Sequence, residues 1–317
     1  MKKLLLSVLY FSLPILLFIF LAEWFLTNQL RHSRHGEYSV WNDVFDSRVN
    51  SDIVVYGSSR AMVHMDPGII SDSLSLSCYN LGINGHNFWL QYLRHKELLK
   101  YNTKPKLIIQ SVDVFTLTKR PDLFNSEQFL PYMLKNSEVE KATKSYKGFN
   151  YFDYHLPLLR YAGKYKTIGT IFKDLISPVP IDSCRYRGYA PQDQTWNDDL
   201  EKARLRFSTF RVDIDTSSVQ LFDRFIRECL SNGIDIKIVY TPEYKVGQDF
   251  VQNRDEILGI FIKFAHKYNL TFLDYSNDSI SFEKKYFYNA SHLNRKGSKL
   301  FTAKLVSDIK KNNFLGK

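Results

Sequence analysis

The feature that most restricts what this chain can fold into is a rhythm. Short apolar runs, each ending in a turn, alternate with stretches of helical spacing. Ile53-Val54-Val55-Tyr56 is such a run and stops at Gly57. Others lie at about 78–81, 107–114, 234–240 and 270–273. Bounded apolar runs of this length read as strands. Between them, Asp66-Pro67 offers an N-cap followed by proline at the first helical position. A helix follows Asn87 to about Leu99. Val219, Phe222, Phe225, Ile226, Cys229 and Leu230 recur at helical spacing before Gly233, a C-cap. Two further helices cover about 250–268 and 296–311. Strands alternating with helices predict a three-layer α/β/α domain with a mainly parallel sheet. Ligands in such folds bind beyond the carboxyl ends of the strands.

Two stretches stand outside the rhythm. After Lys2 and Lys3, residues Leu4 to Leu26 are apolar except for Ser7, Ser12, Pro14 and Glu23. A helix of that length crosses roughly 30 Å of hydrocarbon at ~1.5 Å per residue. A cleaved signal peptide has a shorter apolar core and small residues at the cut. Ala22-Glu23-Trp24-Phe25 offers no such site, and no cysteine follows to take a lipid. The expectation is an uncleaved transmembrane signal anchor at 1–26 and a polar linker at 27–50. The α/β domain then occupies 51–317. Basic residues are divided between the two flanks, with Lys2 and Lys3 before the run and Arg31 and Arg34 after it. The orientation expected is N-terminus inside and bulk extracytoplasmic, which is the periplasmic side in a Gram-negative cell. The second exception, about 118–215, is rich in Tyr, Phe, Lys and Arg and has no comparable strand. It reads as an insertion or lid.

Hydrophobic residues make up 44% and aromatics 15%, which supports a sizeable core and excludes a disordered chain. The formal net charge of +10 is spread along the sequence. It suits a solvated surface, or attraction to anionic lipids or acidic glycans. No nucleic-acid-binding motif accompanies it. Cys78, Cys184 and Cys229 show no metal-binding spacing, and an odd count gives no disulfide framework. No metal or cofactor is expected.

Three motifs fall where chemistry is expected. Gly57-Ser58-Ser59-Arg60 follows the first strand, where a serine in a strand-to-helix turn can project its hydroxyl or simply cap the helix. Asn80-Leu81-Gly82-Ile83-Asn84-Gly85-His86-Asn87 follows the second, and a backbone N–H in such a turn can bind an oxyanion. Asn289-Ala290-Ser291-His292 precedes the last helix and suits a general base. His64, His95 and His266 lie in or beside helices and read as structural. Arg185, Arg187 and Tyr189 read as surface residues, with contact to an anionic or glycan substrate as the sharper alternative.

In this order the motifs resemble the SGNH (GDSL-like) hydrolase and acyltransferase superfamily, over roughly 51–117 and 217–312. The Gly-Ser-Ser form of the first block looks like that of its membrane-associated, envelope-modifying relatives. The resemblance implies a flavodoxin-like sheet and Ser59 as nucleophile. It implies His292 as base, Asn289 as its orienter, and the Ser59 and Gly85 N–H groups in the oxyanion hole. Asn84 and His86 are then expected to line the substrate pocket. The function implied is an esterase or O-acyltransferase, acting on acetyl groups of an extracytoplasmic polysaccharide or envelope glycan. A membrane acyl-donor protein would be its partner.

Two departures matter. Asp113 stands where the family places an oxyanion-binding Asn, and an ionised carboxylate cannot donate. Asn289 stands where the family has Asp, and that exchange in a serine triad can cost about 10⁴ in rate. A Ser–His dyad, or a carboxylate from Asp274, Asp278 or Glu243, is a way out. A catalytically impaired protein that binds glycan or scaffolds a polysaccharide-modifying complex is the other reading.

Overall fold

The computed structural model describes residues 1–85, 87–177, 185–206 and 208–311. His86 and Cys184 therefore lie outside the described residues. Along the chain the helices are α1 (Lys2–His32), α2 (Gly36–Phe45), α3 (Ser59–His64), α4 (Pro67–Leu74) and α5 (Phe88–Tyr101). Then come α6 (Ser137–Thr143), α7 (Tyr151–His155), α8 (Tyr165–Ile176), α9 (Asp199–Arg206) and α10 (Thr216–Ser231). The last are α11 (Lys245–Gln248), α12 (Arg254–Tyr268) and α13 (Arg295–Lys311). The strands are β1 (Ile53–Tyr56), β2 (Cys78–Asn80), β3 (Leu107–Val112), β4 (Asp235–Tyr240) and β5 (Thr271–Asp274). A short ribbon of β6 (Phe287–Asn289) and β7 (His292–Leu293) precedes α13.

The chain divides into two compact units, Met1–Asn42 with Pro121–Ser183, and Asp43–Arg120 with Cys184–Lys317. In the second unit the main sheet runs β2-β1-β3-β4-β5, every pair parallel. This is the doubly wound α/β order with its topological switch between β1 and β3. The alternation of side chains along a strand builds two cores from one sequence. Ile53 and Val55 pack with Ile70, Leu74, Phe301 and Leu305 of α4 and α13. Tyr56 turns the other way, onto His95 and Phe225 of α5 and α10. Leu221, Phe222, Phe225, Ile226 and Cys229 are buried on α10, as their spacing predicts.

The first unit differs from its sequence reading. Helix α1 continues past Leu26 to His32, and α2 follows after a short break, where a polar linker is expected. Trp41 supplies the reason. Its ring is buried against Phe129 and Tyr132, and its Nε1 donates to Gln128 Oε1 at 2.8 Å. Segment 121–183 of the expected insertion groups with α1, while the chain from Cys184 onward belongs with the sheet.

Helix α1 is clasped near its end. Glu23 is 7% exposed, and its carboxylate takes the Arg160 guanidinium, the Leu158 N–H at 2.8 Å and the Thr27 hydroxyl at 2.8 Å. Arg160 also donates to Leu130 O and Thr27 Oγ1. A buried charge is tolerated when it is paired and its remaining hydrogen-bonding capacity is filled. Among the described residues, Leu6–His32 is the one helix long and apolar enough to span a membrane.

Candidate active site

Strand β1 delivers the chain to Gly57, whose φ of +149° and crowding favour glycine. A Cβ there would lie 2.7 Å from both Ala61 Cβ and Ser111 Cβ. Ser58 then caps α3, accepting the Arg60 N–H at 3.3 Å and donating to Asp113 Oδ2 at 2.5 Å. Both serines line the cavity, but with Ser58 committed to Asp113, Ser59 is the one turned to His292. Its Oγ lies 2.8 Å from His292 Nε2.

His292 and Asn289 face each other as a pair in the β6–β7 ribbon, not in the open loop that the sequence suggests. His292 Nδ1 lies 2.9 Å from Asn289 Oδ1, and the Ser291 N–H donates to that oxygen at 3.0 Å. An N–H needs an acceptor, so the amide is held with its oxygen toward the ring. Nδ1 then carries the proton, and Nε2 is left to accept from Ser59. Burial first, and then the Arg60 guanidinium, hold the imidazole below its ordinary value, at about 4. The neutral base form therefore dominates at pH 7.

His64 supports this arrangement from beneath. It is fully buried, and its Nε2 accepts the Leu293 N–H at 2.9 Å, next to His292. Its Nδ1 lies 2.8 Å from Thr241 Oγ1. Burial, then Arg60 and His292, push its titration well below the ordinary histidine range. His64 thus acts as a prop for the strand that carries His292.

Ser59 and His292 open onto a cavity of about 240 Å³, lined also by Gly85, Asn87, Asp113 and Arg120. Gly85 has a φ of +71°, and Arg120 Nη1 donates to its carbonyl at 2.9 Å, which fixes the peptide. Asn84, half-buried in the same turn, is not in the wall; Gly85 and Asn87 are. Asp113 does line the cavity, but its oxygens accept from Ser58 and from the Phe115 N–H at 2.8 Å. A carboxylate satisfied by two donors presents none of its own, which removes Asp113 as an oxyanion donor. It holds the loop that presents Ser59.

Asn87 was not singled out by the sequence. It is 4% exposed, and it sits at the N-cap of α5 without using its side chain as a cap. Neither amide atom has a partner among the described residues. A buried amide left unpaired in a cavity wall is costly unless something that enters the cavity completes it.

The carboxylates considered as substitute orienters are engaged elsewhere. Glu243 pairs with Arg60 Nη1 at 2.6 Å, Asp278 with Lys304, and Asp274 accepts the Ser276 N–H at 2.9 Å. Arg60 itself is buried, with Nε on Thr241 Oγ1 at 3.0 Å. Arg185 and Tyr189 are buried too, on Gly82 O and Ser298 Oγ, so they are not the surface residues that the sequence suggests.

No protein-family model and no curated protein matches the sequence. Among solved structures the chain is similar to an acetyl xylan esterase, at 11% identity and a TM-score of 0.40, covering 81% of this chain and 99% of that one. It is also similar to a GDSL-like lipase from Bacteroides thetaiotaomicron, at 11% identity and a TM-score of 0.35, covering 82% and 88%. At this overlap the likeness is one of architecture alone, and chemistry has to come from the side chains.

Proposed function

We propose that this chain is a serine-dependent ester hydrolase or O-acyltransferase of the SGNH type. Its proposed substrates are acetyl groups of an extracytoplasmic polysaccharide or envelope glycan. The observation that carries the reading is the relay of Ser59 Oγ, His292 Nε2, His292 Nδ1 and Asn289 Oδ1, with spacings of 2.8 and 2.9 Å. Ser59 Oγ attacks the acyl carbonyl as its proton passes to His292 Nε2. The Ser59 and Gly85 N–H groups hold the developing oxyanion, and the Asn87 amide supplies the donor that Asp113 cannot. Collapse expels the alcohol, which takes the proton from His292, and leaves an acyl-Ser59 ester. Water or a sugar hydroxyl then attacks that ester as His292 again takes the proton, and the acyl–Oγ bond breaks with the proton returned to Ser59, releasing the acid or the new ester. The first acceptor makes an esterase, the second a transferase.

Helix α1 would tether the site to a membrane, with the bulk of the chain extracytoplasmic and a membrane acyl-donor protein as the natural supplier of acyl groups. The reading of an impaired, glycan-binding or scaffolding relative is favoured by Asn289, since an amide cannot neutralise the imidazolium as a carboxylate does. Purified full-length chain treated with a serine-reactive fluorophosphonate, and assayed with a small acetyl ester, separates the two. The expected result is labelling and turnover, both lost in Ser59→Ala, with turnover falling at least ~10³-fold. Turnover equal in wild type and Ser59→Ala would sink the serine mechanism. Absence of both turnover and labelling would favour the binding role.

A further inference from the structure

We infer that an exposed apolar surface of the first compact unit lies in the interfacial layer of a lipid bilayer, beside the point where α1 leaves the hydrocarbon. This rests on the reading that α1 crosses the membrane. At ~1.5 Å per residue, the stretch from Leu4 to Glu23 spans roughly 30 Å, the thickness of a bilayer core. Its apolar side chains are exposed almost throughout. From Glu23 onward exposure falls, Trp24 excepted, and the clasp with Leu158 and Arg160 begins. The clasp therefore sits at the edge of the core, and what it holds is at interfacial depth.

What it holds is apolar on the outside. Leu159 follows Leu158 directly and is exposed, as are Phe152 and Leu156 just before it. Helix α8 is tied to the end of the same helix, because Asp174 takes the Ser33 hydroxyl at 2.9 Å and lies 2.5 Å from His35 Nε2. At 100° per residue, Ile168, Phe172, Leu175 and Ile176 fall on one arc of α8, and Lys166, Thr170, Lys173 and Asp174 on the other. Ile171, on the edge of the apolar arc, is buried, but Phe172 is 52% and Ile176 86% exposed. A strongly amphipathic helix with its apolar arc bare is the pattern of helices that lie in a membrane interface. Continuity with α1 identifies lipid as the covering phase. Lys166 and Lys173 on the polar arc can reach anionic headgroups.

The test uses full-length chain in phosphatidylcholine–phosphatidylglycerol vesicles containing a lipid-borne photoactivatable diazirine, with labelled peptides mapped by mass spectrometry. Labelling is expected on α1 and on α8. The peptide around β1, whose residues are all buried, should stay unlabelled. Label confined to α1 overturns the inference, leaves the anchor standing, and assigns the α8 face to a protein partner. Label on neither overturns both. Label on α8 without α1 keeps the surface and overturns the membrane span. Phe172→Ser combined with Ile176→Ser should lower α8 labelling at least about threefold and leave α1 labelling unchanged. Equal α8 labelling in the variant would also defeat the inference.

Discussion

Two of the buried arginine–glutamate pairs among the described residues differ in what surrounds them. Arg160 and Glu23 form a knot in the first unit, in which Thr27, Leu130 O and the Leu158 N–H take up further bonds. Arg60 and Glu243 also lie buried, yet both line the cavity that holds Ser59 and His292. The first pair fastens a segment to an apolar helix. The second sets a field in which a nearby imidazole stays neutral. Burial and pairing alone therefore do not separate a structural charge from a functional one; what the pair faces does.

That distinction can be broken from either side. The largest effect belongs to the knot. Arg160→Leu leaves Glu23 without its cation and should cost about 3–5 kcal/mol of stability, read as a lower unfolding temperature in detergent. A melt indistinguishable from wild type would mean that the knot is ornamental. At the open site the losses should be kinetic. Asn87→Ala is expected to lower kcat about 10²-fold with little change in KM, as for loss of one oxyanion donor. A change confined to KM would reassign Asn87 to ground-state binding. Asn289→Asp should raise kcat up to about tenfold by stabilising the imidazolium. An unchanged rate would show that Asn289 limits nothing.

The smallest effect concerns the second pair directly. With His292 at about 4, the wild-type rate should rise with pH through about 4 and stay flat above, because the neutral ring is the base. Replacing Arg60 and Glu243 together by leucine removes the cation that disfavours protonation without orphaning its partner. The acid limb should then move up by about one pH unit. A limb that stays put would leave burial as the sole cause.

Much of the second unit was legible because its signals are local and periodic. Apolar runs such as 53–56 and the spacing on α10 specify strands and a buried helix face. The motif's local pattern does not tell the two serines apart, since either can cap, and the choice of Ser59 comes from the family resemblance. Their roles separate only through Asp113, a residue brought in by β3. Asn87 lay in the second motif without a role of its own, and Arg120 carried no signal, because lining a cavity is a property of several loops at once. The sequence suggests only a short amphipathic piece around Trp41 to Val49 in the linker, and the helical continuation through 27–40 is masked by its polar residues. The tie between α1 and Arg160 was invisible because it joins residues 137 positions apart.

The Ser59–His292 contact has a consequence for synthesis. Its partners are 233 positions apart, and the base arrives on a ribbon just before the last helix. Chains emerge N-terminus first, and long-range contacts close last. A nascent chain thus carries Ser59 through the synthesis of 233 further positions before His292 is in place. On the proposed mechanism, a product that ends before His292 would hold the serine without its base.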